Sequence, residues 1–368
     1  MRVGLVVPGF SADQADWCIP ALRHLARTLA SADDVRTIAV RYPYRPARYA
    51  VDGVEVIALG GAVRRGPATM SVWRTALRVL SNEHRRRPFD VLHAFWATES
   101  GLLAATAGRV LRVPTLVSLA GGELVALPAI GYGDQRIAWG RLKVAASLRL
   151  ASAVSAGSRQ LADHARGYVG GKPVHRLPLG VDLDLFTPNG HRVAEAQRLV
   201  HVGTLTGVKD QATLLRAFAH LRRHTPTATL EIVGDGPLRP DLEGLASQLG
   251  RSAAVRFHGA ADHAALPRIY RSAEAFVLSS RHEAQCMVAI EAAACGIPVV
   301  GTRVGVIPEL TSAVAPIGAD EALSVCLADV LANPEPHAAA ALERARTEFS
   351  LAASAAGFRK LYASLLSG

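Results

Sequence analysis

Cysteine is scarce in this chain of 368 residues, and the four present (Cys18, Cys286, Cys295, Cys326) show neither CxxC spacing nor a histidine at ligand spacing. That scatter argues against a disulfide framework or a structural metal and fits reduced core cysteines in a cytosolic protein. Long hydrophobic runs are missing too: no stretch reaches the ~18 apolar residues of a membrane span. The opening MRVGLVVPGF has a single arginine and a short apolar run before Pro8, which reads as a first β-strand rather than a signal peptide. The expectation is a soluble, cytoplasmic protein that at most sits on the cytoplasmic face of a membrane. Low complexity and internal repeats are also absent. With half its residues hydrophobic and one fifth charged, the chain is neither disordered nor fibrous.

Lysine is rarer than length would suggest: of 41 basic side chains only Lys143, Lys172, Lys209 and Lys360 are lysine. The 31 acidic residues leave a net charge of +10. All of that excess sits in residues 1–185, with 24 basic and 14 acidic side chains, whereas residues 186–368 hold 17 of each. The asymmetry points to an anionic partner for the first half alone, with an arginine-rich composition as the competing explanation.

At about 150 residues per domain the length suggests two domains. Short apolar runs alternate with Ala/Leu/Arg-rich segments. Strands are expected at Val3–Val7, Val35–Arg41, Val54–Ala58, Asp90–Ala94, Thr115–Leu119, Ala153–Ser155 and Val174–Leu177, then at Arg198–Val202, Ala228–Val233, Ala254–His258, Ala275–Ser279 and Pro298–Gly301. Helices are expected between them, among them Ile19–Ala30, Ser71–His84, Gln135–Leu150, Asp210–His224, Leu238–Gly250 and Cys286–Cys295. Continuous apolar strands alternating with helices predict parallel sheets covered on both faces, an α/β class. The pattern restarts near Leu199, after the turn formers Pro188, Asn189 and Gly190. The expected division is a domain over 1–181, a linker over 182–197, a second domain over 198–350 and a last helix over 351–368 packing back on the first domain. Ligands of such sheets bind at the carboxyl ends of the strands, so a site in a cleft between two facing domains is expected.

The richest stretch is AFVLSSRHEAQCMVAIEAAACGIPVVGTRVGVIPEL, Ala275–Leu310. A strand enters a polar loop holding Glu283, and a helix follows with Glu291 eight residues on; Gly296 then stops it. The unpaired N–H groups of that helix's first turn, around Gln285–Val288, form an anion site. A carboxylate beside it suits sugar hydroxyls, since ionised carboxylates accept strong hydrogen bonds. Taken alone, two such glutamates are also explained as a dipole-favouring residue and a surface residue.

This segment resembles the signature of family 4 glycosyltransferases, whose pattern is a small-residue loop, Glu-x7-Glu, an Ala-rich helix and a Gly-x-Pro-Val-Val strand. Three further blocks fit in order: PLGVDLDLF, HVGTLTGVKDQATLLRAFAHL and EIVGDGPLR. The resemblance covers about 130 residues; the rest agrees in element order only. It implies a GT-B fold of two Rossmann-like doubly wound domains facing an interdomain cleft. It also implies a retaining enzyme that moves a sugar from a nucleoside diphosphate sugar to an acceptor hydroxyl in bacterial glycan, glycolipid or polysaccharide synthesis. No metal or other cofactor is implied, and no Asp-x-Asp motif stands out. The acceptor would be a glycan, a lipid-linked species or a small molecule.

Carried over residue by residue, Glu291 would bind ribose, Glu283 would meet the transferred sugar, and the amides of Gln285, Cys286 and Met287 would meet the diphosphate. Lys209 would neutralise charge growing on the leaving group, as electrostatic stabilisation demands; otherwise it is a solvated residue at a helix start. Gly203 and Thr204 belong to the same donor side. The sequence departs from the family in three places. Thr204 stands where an arginine is usual, with Arg281 the substitute cation or merely a solvated loop residue. Ala120 stands where a histidine is usual; His93 and Glu123 are candidates for its role, although a histidine ending a strand is commonly a core residue. The first loop, PGFSADQADWCIPAL, keeps only Gly9 of a Gly-Gly pair near the donor phosphate.

The segment Arg64–Pro88 places Met70, Trp73, Leu77 and Leu80 on one helical stripe beside Arg74, Arg78 and Arg85–Arg87. Such a helix either lies on an anionic membrane surface or packs on its own sheet. Nucleic acid is not an expected partner, since no basic-aromatic array is present. Other readings are a GT-B epimerase or phosphorylase and a non-catalytic nucleotide-sugar-binding protein. A nicotinamide-dependent oxidoreductase lacks its GxGxxG after the first strand of either half.

Overall fold

A computed structural model describes residues 1–61, 67–188 and 197–367. It contains two compact units, the first running from Met1 to Gly180 and regaining the chain at Leu351, the second spanning Val181–Ser350.

Unit 1 is an eight-stranded sheet. Its strands are β1 (Arg2–Gly9), β2 (Asp34–Tyr42), β3 (Pro46–Val51), β4 (Val54–Leu59), β5 (Val91–Phe95), β6 (Thr115–Leu119), β7 (Ala153–Ala156) and β8 (Val174–Arg176). They lie in the order β3-β4-β2-β1-β5-β6-β7-β8. All pairs are parallel except β3–β4, which the sequence reading missed. Asp52 and Gly53 turn that hairpin with φ of 50° and 76°, the geometry of a tight primed turn. Pro46 opens β3, where an edge position lets it go without a ladder donor.

The helices α1 (Pro20–Ala30), α2 (Pro67–Arg86), α3 (Glu99–Leu111), α4 (Ala138–Leu150) and α5 (Arg159–Ala165) connect the strands. The last helix, α13 (Leu351–Ser367), also belongs to this unit. It contributes Phe358 and Tyr362, both fully buried, to the core formed by Val3, Leu5, Leu25, Phe95 and Leu116.

Along α2 the buried apolar positions are Val72, Ala76 and Leu80, spaced by four, while Met70 is 52% exposed and Arg74 and Arg78 face solvent. The helix therefore packs the Val72, Ala76 and Leu80 face on its own sheet, while of the expected stripe only Leu80 is buried, Trp73 and Leu77 being half-buried and Met70 exposed. Arg64 and Arg65 lie outside the described residues.

Unit 2 is a parallel sheet of β9 (Arg198–Val202), β10 (Thr229–Val233), β11 (Val255–Gly259), β12 (Ala275–Leu278), β13 (Val299–Thr302) and β14 (Val314–Ala315), in the order β11-β10-β9-β12-β13-β14. Its helices are α6 (Gln211–Leu221), α7 (Arg239–Gln248), α8 (Leu266–Arg271), α9 (Met287–Ala294), α10 (Ile307–Leu310), α11 (Asp320–Ala332) and α12 (Pro334–Glu348). Between them the central strands β12 and β13, and β9 and β10 after their first residue, are buried and read as largely apolar runs because helices cover both faces, whereas the edge strand β11 is mostly half-buried or exposed. Residues 182–188, expected in a linker, are built into this unit: Phe186 is 1% exposed and stands with Tyr270 and Phe276 in its core. The remainder of that linker, 189–196, lies outside the described residues.

Candidate active site

In unit 2 the chain order runs outward from β9 through β10 to β11, then resumes on the other side of β9 with β12. The reversal point of a doubly wound sheet opens a crevice at the carboxyl ends of the strands flanking it. Here those are β9 and β12, so the loop Gly203–Asp210 must lie beside the loop Ser279–Cys286. These loops carry most of the residues the sequence singles out.

The two loops are tied together. Lys209 Nζ lies 2.6 Å from Glu283 Oε1, and the Ser280 hydroxyl donates to the same oxygen at 2.7 Å. Ser279 Oγ donates to the Lys209 carbonyl at 2.9 Å, and the Arg281 amide donates to the Val208 carbonyl at 2.8 Å. Arg281 Nε pairs with Asp210 Oδ2 at 3.0 Å. Arg281 is thus anchored to the loop that holds Lys209, with its guanidinium paired to Asp210. Thr204 itself is exposed, and its carbonyl accepts from the Gln211 amide. Beneath Lys209 lies His201, fully buried, with Nδ1 at 2.9 Å from the Val277 carbonyl and Nε2 at 3.2 Å from Gln211. Burial holds its pKa down at about 4.

The helix α9 begins at this junction. Cys286, the residue before it, sits at φ 85°, a conformation that costs a non-glycine residue about 1–3 kcal/mol and is typically retained at functional turns. No side chain caps the helix, which leaves its first-turn N–H groups directed at the site. Burial pushes the Cys286 thiol up, and the thiol also senses Glu283, Lys209 and Glu291. All three charged groups therefore surround the start of one helix. Gln285 is fixed from behind, its carbonyl accepting from the Val306 amide at 2.9 Å, and its side-chain amide lies 3.3 Å from Met287 Sδ.

Glu291, about one turn into α9, is 6% exposed. The Tyr270 hydroxyl donates to its Oε2 at 3.1 Å, and His263 Nε2 lies 3.5 Å from Oε1. Burial beside this carboxylate raises the Tyr270 pKa well above the usual phenol value, so the phenol stays a donor. Sequence reasoning missed Tyr270 and His263, which come from other elements and share no spacing rule with Glu291.

Behind the Lys209 loop, the VGDGP turn nests into the HVGTL turn. Gly203 N–H bonds to the Val233 carbonyl at 2.9 Å and Leu205 N–H to the Asp235 carbonyl at 3.0 Å. A Cβ on Gly234, whose φ is 130°, would collide with the Gly203 carbonyl. Gly203 has room of its own, its nearest neighbour being His201 Nε2 at 3.4 Å.

Unit 1 corrects two expectations. His93 is fully buried in the core, with Nδ1 2.6 Å from the Tyr362 hydroxyl and Nε2 2.7 Å from Ser118 Oγ. Both ring nitrogens are occupied, and burial lowers its pKa to about 3. His93 is a core histidine that docks α13, and the catalytic role expected of it is withdrawn. Glu123 does not replace the histidine missing at Ala120 either. Its carboxylate is 1% exposed and accepts from the backbone N–H groups of Ala97, Ala120 and Gly121 at 3.2, 3.0 and 2.7 Å. Burial raises its pKa, and those amides oppose the rise. It acts as a staple between the loops after β5 and β6. At Gly9 a Cβ would come within 3.1 Å of Tyr42 Cβ and 3.3 Å of Cys18 Sγ.

Among the described residues no group of three or more His, Cys, Asp or Glu side chains is placed to hold a metal. The geometry is that of a small polar site at a sheet reversal: Lys209 paired with Glu283, Arg281 paired with Asp210, Glu291 behind them and a helix start.

A family model described as "Glycosyl transferases group 1" matches residues 188–346, and one described as "Glycosyl transferase 4-like domain" matches residues 19–181. D-inositol 3-phosphate glycosyltransferase from Nocardiopsis dassonvillei is 30% identical over 323 residues, covering 79% of this chain and 74% of that protein. The chain spans 60–66% of the length of the first three curated relatives it matches. Sucrose-phosphate synthase from Thermosynechococcus elongatus superposes with a TM-score of 0.78 at 22% identity, covering 100% of this chain and 99% of the other. Anabaena HepE, solved in complex with UDP, gives 0.75 at 19%, covering 99% and 100%. With its two parallel-sheet units the chain has the GT-B fold, and it belongs to the family 4 glycosyltransferases.

Proposed function

We propose that the protein transfers a sugar from a nucleoside diphosphate sugar to an acceptor hydroxyl, with retention of configuration. The observation that carries this is the convergence of Lys209, Glu283 and the start of α9 at the β9/β12 reversal point. A diphosphate placed there meets the amides of Gln285–Met287 and the ammonium of Lys209. Glu283, held by Lys209 and Ser280, faces the transferred sugar, and Glu291 takes the ribose. Charge developing on the leaving phosphate is met by Lys209 and the helix start without a metal, and a departing phosphate oxygen takes the acceptor proton. HepE's complexes with UDP and with UDP-glucose support a nucleotide-sugar donor. The 4-like domain in unit 1 and its basic charge support an acceptor there. Among the described residues no helix is long and apolar enough to cross a membrane.

The test is turnover of a panel of UDP-, GDP- and ADP-sugars by Glu283→Gln, Lys209→Met and Glu291→Ala. Removing one stabilising group of this kind costs about 10²–10³-fold in kcat, and each variant is expected to lose at least that much while keeping its melting temperature. A chelator is expected to leave the native turnover unchanged. Near-normal rates in all three variants would sink the assignment.

A further inference from the structure

Unit 1 carries a surface that the sugar-transfer site does not use. Three of the large hydrophobic side chains exposed among the described residues fall within six positions: Ile137, Trp139 and Leu142, at 56, 56 and 57% exposure. Arg136, Arg141 and Lys143 are interleaved with them at the start of α4. Trp139 and Leu142, three residues apart, share one helix face. The patch continues onto the beginning of α2. The Trp139 ring stacks on Trp73 at 6.5 Å between centroids and 14° between planes. One turn before Trp73 lies the exposed Met70, and Arg74 follows it. Trp73 is itself fixed by its indole N–H, 2.5 Å from Glu99 Oε1, and that carboxylate is spent on a two-point pair with Arg41.

The charge beside this patch is mainly positive: Arg74, Arg136, Arg141 and Lys143 lie among its apolar side chains, against Asp134 just before α4 and Glu99, which is already paired with Arg41. Helix α4 follows the carboxyl end of β6 and runs back to β7. Its first turn therefore stands at the rim where the loops after β5 and β6 emerge.

We infer that the first turn of α4, joined through Trp73 to the start of α2, docks unit 1 on a bilayer carrying anionic headgroups. The chemistry is complementary on both counts. Indole and aliphatic side chains enter the headgroup boundary, while arginines and a lysine among them meet lipid phosphates with their stems lying along the apolar surface. This inference is independent of the donor reading, because vesicle binding needs neither donor nor acceptor.

The test is flotation of the full-length protein with vesicles of phosphatidylcholine alone and of phosphatidylcholine mixed with phosphatidylglycerol, over a salt series. Binding is expected only to the mixed vesicles and should weaken as salt rises. The charge variant Arg136→Gln/Arg141→Gln/Lys143→Gln should lose about fivefold in partition per cation removed. The apolar variant Trp139→Ser/Leu142→Ser, whose substitutions are at exposed positions, should lose tenfold or more in total. Equal binding to both vesicle types, no binding to either, or full binding by both variants would overturn the proposal. So would a dimer in solution that the apolar variant dissolves, which would assign the patch to a second copy.

Discussion

The second glutamate of the Glu-x7-Glu pair shows how a functional side chain is held. Glu291 reaches the site from within the core, where an isolated carboxylate would be costly. The Tyr270 hydroxyl and His263 offset that cost. Tyr270→Phe removes one donor to a charged acceptor, an interaction worth about 1.5–3 kcal/mol, and leaves the ring packing intact. The expected outcome is a nucleotide affinity lowered roughly tenfold, read by calorimetry, with kcat at saturating donor little changed. A drop in kcat at unchanged affinity would place Tyr270 elsewhere in the reaction. The glutamates were legible in the sequence because they sit eight residues apart in one segment. Tyr270 was not, since its relation to Glu291 exists only once α8 packs beside α9. His93 shows the converse: a histidine at a strand end reads as chemistry until Tyr362, 269 residues away, closes over it.

At the level of elements, the site depends on two glycine-bearing turns that interlock behind Lys209. Gly234 cannot carry a side chain without moving the Gly203 turn, and its φ of 130° disfavours one in any case. Gly234→Ala is expected to cost roughly 3 kcal/mol, combining overpacking with backbone strain. Donor affinity should fall with it, because the displaced turn leads to Lys209. Urea unfolding and nucleotide titration check the two effects, and a neutral substitution would mean that the turns are not in contact. The alternation of strands and helices was readable almost to the residue wherever both faces of a strand are covered. The hairpin of β3 and β4 was only half read. Its outer strand alternates exposed and half-buried residues, and the Asp52-Gly53 turn signal was the clue passed over.

For the molecule as a whole, acid should be the weak side. His93 in unit 1 and His201 in unit 2 are held neutral by burial, with pKa values of about 3 and about 4, against about 6.5 in an unfolded chain. Below pH 6.5 the unfolded state binds protons that the folded state does not, so stability falls as pH drops. The loss continues until the folded forms protonate near pH 3–4. Each site contributes a slope of about 1.4 kcal/mol per pH unit across that window. Urea midpoints at pH 7.5, 6 and 5 should decline accordingly. His93→Gln should flatten the decline for unit 1 and His201→Gln for unit 2, whatever either does to stability at pH 7.5. Unaltered slopes in both variants would show that other groups govern acid unfolding.

The first and last residues of unit 2 stand side by side. Val181 and Ser350 form a parallel bridge, and the Val181 N–H meets the Phe349 carbonyl at 2.7 Å. After Ser350 the chain returns to finish the core of unit 1 with α13. In genetic terms, unit 2 is a single cassette spliced into one loop of its host, with both joints at adjacent points. A lineage can replace that cassette through two crossovers that never cut the host's own sheet, and the two units are then free to diverge on separate schedules.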